Sequence, residues 1–141
     1  MTGSDRDREL TGCSVRDLQL YAAGCLEAYC KGKGLRHPSI DDLLKHLNGY
    51  PETDDLPAWD RAGASLVLNG RGDELPHDLI ALMSPQEIEA FSSIVDSAVE
   101  VGIVDLYGGS TELPVIFARK ITSMLRRNAI DVPDLKGTIS A

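Results

Sequence analysis

Long apolar runs are missing from this chain of 141 residues. No window approaches the ~18 consecutive apolar residues of a membrane-spanning helix, which excludes that architecture. The first ten residues are polar and include Asp5, Arg6, Asp7, Arg8 and Glu9. A secretory leader needs an apolar core there, so a cytoplasmic location is expected. Cysteine is also sparse: Cys13, Cys25 and Cys30 are odd in number and have no C-x-x-C spacing. Too few to staple a domain, they are expected to be reduced thiols. Motifs for chemistry are absent as well. The sequence holds no G-x-S-x-G elbow, phosphate-binding P-loop, dinucleotide fingerprint or H-E-x-x-H pair, and no cofactor is expected.

Basic residues are lacking in one place. Residues 41–105 contain fourteen acids against Lys45, Arg61 and Arg71 only, a net charge of −11 in a chain whose total is −8. The flanks are slightly positive. So negative a segment repels phosphate backbones and anionic lipid, and neither nucleic acid nor membrane is expected as a partner. Arg119, Lys120, Arg126 and Arg127 make a basic stretch near the end. Without interleaved aromatics it is a weak nucleic-acid signal.

What is present is helical periodicity. The composition, 43% apolar and 26% charged, is that of an ordinary globular protein. Ser14 opens a helix with Asp17 three residues on, and Val15, Leu18, Ala22, Cys25, Leu26 and Tyr29 form its apolar stripe. Lys31-Gly32-Lys33-Gly34 ends it. A second helix is expected from Pro38-Ser39, with Ser39 as cap and Ile40, Leu43, Leu44 and Leu47 inward, stopping at Asn48-Gly49. After an exposed loop, a third runs from Pro57 to Leu68, capped by Asp55, with Trp59, Ala62, Leu66 and Val67 inward. Its small run Ala62-Gly63-Ala64-Ser65 would let another helix approach. The alternative is a strand at 66–68 turning at Asn69-Gly70. A short helix follows Pro76.

Ser84-Pro85-Gln86-Glu87 is the clearest local signal, a capping box with proline at the first helical position. The helix it opens buries Ile88, Phe91, Val95 and Ala98. Beyond Val99 polarity nearly vanishes, so it either continues into the core or yields to a short buried strand near 103–107; the first is preferred. Gly108-Gly109 is a turn. Ser110 or Thr111 then caps a last helix whose apolar side is Leu113, Ile116, Phe117, Ile121, Met124 and Leu125, with Asn128 at its end. The expected fold is all-α: a compact bundle of five or six amphipathic helices over residues 14–128, with room for one short extended or hairpin segment. A lead-in (1–13) and a tail (129–141) flank it.

Candidate chemistry is thin. His46 with Asp42, and His77 with Asp78, read as surface histidines beside carboxylates. The sequence spaces no third ligand for zinc, so no metal site is assigned. Asp41-Asp42, Asp55 and Asp73-Glu74 sit where helix starts favour negative charge. Asp105 falls on the buried stripe if its helix continues, and would then need a partner such as Arg119 or Lys120 or have a raised pKa; if the helix has ended, it is exposed or pairs locally. Arg71-Gly72-Asp73 reads as a turn.

The absence of motifs beside a −11 segment points to a non-enzymatic interaction protein. It would dock a basic protein partner through Asp41, Asp42, Glu52, Asp54, Asp55, Asp60, Asp73, Glu74 and Asp78, in an inhibitor, immunity-type or adaptor role. The alternatives are a small enzyme or ligand-binder using Asp105, Tyr107 and a histidine, and a homo-oligomer meeting through the apolar 98–107 stretch.

Overall fold

Local capping signals set where most of the helices begin. A computed structural model describes residue 10 and residues 13–50, 55–106 and 112–133, with side chains for all of these but 104–106. Six helices and no strand lie among them: α1 (Val15–Lys33), α2 (Pro38–Asn48), α3 (Leu56–Ala64), α4 (His77–Ile80), α5 (Pro85–Leu106) and α6 (Leu113–Arg127). The all-α expectation holds.

Ser14 caps α1, its Oγ accepting from the Asp17 amide at 3.1 Å. Gly34 closes the helix at φ +65°, a left-handed turn that glycine adopts without strain, and its amide reaches the carbonyls of Cys30 and Lys31. The expected box at α5 forms in both directions. The Glu87 amide donates to Ser84 Oγ at 3.2 Å, and the Ser84 amide donates to Glu87 Oε1 at 2.8 Å. The Ser84 amide, and then its hydroxyl, hold the Glu87 carboxyl below its usual pKa.

α1, α5 and α6 pack on one another more extensively than any other elements, and α2 also packs on α1. Leu18, Tyr21, Cys25, Leu26 and Tyr29 of α1 meet Phe91, Ile94, Val95, Ala98 and Val101 of α5 and Ala118, Ile121 and Leu125 of α6, all at 1% exposure or less. Each large aliphatic or aromatic side chain buried this way contributes about 1.5–3 kcal/mol.

Two close approaches define the packing. Gln19, fully buried on α1, donates from Nε2 to the Ala98 carbonyl of α5 at 2.8 Å. One turn on, Gly102 leaves room for it: a Cβ there would lie 2.5 Å from Gln19 Oε1 and 3.0 Å from the Trp59 ring. Side chains larger than hydrogen do not fit. The polarity-poor stretch is thus helix through Leu106, as preferred, and Val99, Val101 and Gly102 are spent inside the molecule. Ala98, Val99, Val101 and Gly102 are therefore not available to a second copy, while residue 107 and the side chains of 104–106 lie outside the described residues.

Several details differ from expectation. α2 is capped by His37, not Ser39: Pro38 occupies the first helical position, and the Ser39 amide donates to His37 Nδ1 at 3.1 Å. α3 starts on Asp55 as expected, but ends at Ala64 instead of Leu68, because Leu68 and Asn69 turn inward while Val67 faces solvent at 69% exposure. Asn69 there accepts the Arg71 amide at 2.9 Å, and Gly70 follows at φ +65°. The result is a bend, not a hairpin. On α6, Val115, Ala118 and Thr122 are buried while Ile116 is half-exposed, so its inner face is rotated from the expected one. Ser110 and Thr111 lie outside the described residues.

Candidate functional site

The acids that would form a docking surface fall into three groups. Asp41 and Asp42 stand exposed on α2, and neither has an ion-pair partner among the described residues. Asp73, Glu74 and Asp78 lie in and just after the bends that follow α3, also exposed. Asp73 accepts from Asn69 Nδ2 at 2.7 Å, Glu74 faces the exposed His77 at 3.3 Å, and Asp78 faces His37 Nε2 at 3.0 Å. The contact with His37 holds the Asp78 carboxyl below the usual carboxylate range.

The other members serve the fold. Asp55 caps α3, accepting the Ala58 amide at 3.0 Å. Asp60 does not face a partner: it is buried at 9% exposure and accepts from Arg71 Nη2 at 2.6 Å. Arg71 also reaches the Asp60 carbonyl at 3.2 Å. An ion pair this shielded keeps its partners together, because leaving either alone would strand a desolvated charge. Glu52 and Asp54 lie outside the described residues, as do the Asp105 side chain and Tyr107.

Histidines carry more of the local structure than the sequence suggests. His46 is no surface residue beside Asp42. It stacks on Trp59 with ring centroids 4.3 Å apart and planes 11° from parallel, while the Trp59 indole N–H donates to the His46 carbonyl at 2.9 Å. Gly63 makes this possible, since a Cβ there would lie 2.5 Å from His46 Nε2. The small run on α3 therefore does admit a neighbour, and that neighbour is α2. Burial, then the nearby Arg71 guanidinium, lower the His46 pKa below 6.5, so the imidazole is neutral at pH 7.

His37 joins three segments. Its Nδ1 lies 2.7 Å from Ser39 Oγ and its Nε2 faces Asp78. The order Asp–His–Ser matches the polarity of a nucleophile, base and orienting acid. Here, however, the Ser39 amide occupies the same Nδ1, and Ser39 is buried at 6% exposure. The bonds cap α2 and tie it to the segment before α5. Beside them runs a cleft of about 550 Å³ whose walls include Glu27, Cys30, Leu35, His37, Ile40 and Asp41. Its Cys30 thiol is pushed up to about pKa 12 by burial and then by the nearby Asp41 and Glu27 charges. It stays protonated at neutral pH and is a poor nucleophile. Cys13, Cys25 and Cys30 are all free thiols.

Among the described residues, no group of three or more His, Cys, Asp or Glu side chains gathers to hold a metal ion. No described helix is long and apolar enough to cross a membrane. Comparison with family models, curated proteins and solved structures finds no match to this chain.

The arrangement therefore offers exposed carboxylates on α2 and on the bends before α5, linked through His37. The His46–Trp59 stack joins α2 to α3, and the Asp60–Arg71 pair joins α3 to the bend after it. Sequence reasoning missed both of these, because each joins residues more than ten positions apart. The only hint was Gly63.

Proposed function

We propose that this protein is a non-enzymatic cytoplasmic interaction protein that docks a basic protein partner, as an inhibitor, immunity-type protein or adaptor would. One observation carries the reading. Asp41, Asp42, Asp73, Glu74 and Asp78 face solvent, and among the described residues none is paired with a lysine or arginine. Arg71, which could have neutralised part of this surface, is turned inward to Asp60. Exposed carboxylates without basic neighbours raise encounter rates with a basic partner and disfavour acidic ones. Asp60 drops out of the docking set because it is buried against Arg71, and Asp55 because its carboxylate caps α3; Asp73 and Asp78 keep exposed carboxylates beside their single contacts.

The test is capture of binding proteins from host extract by the wild-type chain and by a triple variant, Asp41→Asn, Asp42→Asn and Glu74→Gln. None of the three carboxylates anchors the fold, so the variant should melt within about 0.5 kcal/mol of wild type. A basic protein held at low salt should be lost from the variant. It should also be released near 0.5 M salt, where the screening length is only about 4 Å. Binding that survives both changes undiminished refutes the reading.

A further inference from the structure

α6 carries an apolar side chain where its burial pattern has no use for one. Ile116 is 49% exposed, and the other large exposed aliphatics among the described residues, Val67 and Leu82, lie in bends and not on long helices. Ile116 borders a groove of about 620 Å³ between the start of α1 and α6, floored by Val15, Leu18 and Val115. The same groove is edged by Glu112 and Arg119. These two stand four residues before and three residues after Ile116, on one face of the helix. Their seven-residue separation spans about 10.5 Å, with Ile116 close to its midpoint.

That order of charges is self-complementary. We propose that this face is an interface between two copies of the chain, with the two α6 helices antiparallel across a two-fold axis near Ile116. Glu112 of each copy then faces Arg119 of the other, and each Ile116 enters the groove of its neighbour. A parallel pairing would set glutamate against glutamate and arginine against arginine, so the charges select one orientation. Both residues already make a contact within their own chain. A carboxylate has two acceptor oxygens and a guanidinium five donors, so each can serve a second partner. A helix of 15 residues offers a contact about 22 Å long. At a helix width of about 10 Å this is roughly 220 Å² per partner, well under the ~800 Å² of standard stable interfaces, and the dimer is accordingly weak.

Asp41 and Asp42 lie on α2, which has at most marginal contact with α6, although both helices pack on α1. Self-association and basic-partner docking can therefore fail independently.

Sedimentation equilibrium on the full chain, from micromolar to about millimolar concentration, should show the mass rising from one chain toward two. Ile116→Asp should hold it at one chain, with an unchanged melting temperature because the position is half-exposed. Glu112→Arg and Arg119→Glu should each weaken association about tenfold, and the double reversal should restore it to within about threefold of wild type. A one-chain mass throughout overturns the proposal. So does a dimer indifferent to Ile116→Asp, and so does a double reversal no better than the single ones. If deleting residues 1–9 is what first allows association, the groove is filled by the chain's own beginning and the proposal also fails.

Discussion

Two parts of this molecule are held by different forces. α1, α5 and α6 are long and bury a continuous set of aliphatic and aromatic side chains against one another. The stretch from α3 through α4 contains helices of nine and four residues, and relies on a few polar contacts: the Asp55 cap, the Asp60–Arg71 pair and the Asn69–Asp73 bond. Trp59, Leu68 and Leu79 anchor it to the core. The exposed acids lie mainly on this sparsely anchored part and on α2. A surface selected for charge has few apolar residues left to bury, and its geometry then depends on individual hydrogen bonds.

Substitutions should separate the two parts. The largest effect is expected from Phe91→Ala, which empties a fully buried site between α1 and α5. It should cost about 3–5 kcal/mol and lower the urea midpoint for the whole molecule. A loss under about 1 kcal/mol would mean that the long-helix core is not the main source of stability. Next comes Arg71→Ala, which leaves the Asp60 carboxylate shielded without its cation. The pair is partly exposed, so a cost of about 1–3 kcal/mol is expected, below that of a fully buried pair. Amide exchange should quicken over residues 56–80 while α5 and α6 stay protected. Uniform quickening would show that the two parts open together.

The smallest effect concerns pH. His46 has its pKa lowered in the folded chain, so below its ordinary value of 6.5 the unfolded chain binds the proton more readily. Stability is therefore fully present above pH 6.5 and declines as pH falls beneath it. Trp59, the only tryptophan, stacks on this ring and reports the change. Its fluorescence should titrate with a midpoint below 6.5, and His46→Gln should abolish the transition. A midpoint at or above 6.5 would contradict the burial of the imidazole.

The same contrast explains what could be read in advance. The starts of α1, α3 and α5 were legible because Ser14, Asp55 and Ser84 bond to amides three residues away, within the reach of local sequence. α2 escaped, since a rule favouring serine does not foresee that Pro38 takes the first position and hands the cap to His37. The continuity of α5 through its apolar end was legible from periodicity. The inner face of α6 was not: it is set by the approach of α1 and α5, which buries Val115 and Thr122 and leaves Ile116 outside. Of the acidic set, net charge was legible and individual roles were not. Asp41 and Asp60 look alike in sequence, and only a partner eleven positions away turns Asp60 inward.

The polar clasp between Gln19 and Ala98 joins residues 79 positions apart, and the Tyr21 hydroxyl donates to the Pro133 carbonyl across 112. Of the elements that pack on α1, only α2 follows it closely along the chain; α5 and α6, which cover it most, come far later. At about 5–20 residues per second, several seconds pass between translation of residue 33 and of residue 125. During that interval the residues of α1 that meet α5 and α6, Leu18, Tyr21 and Leu26 among them, have no native cover and stand open to water.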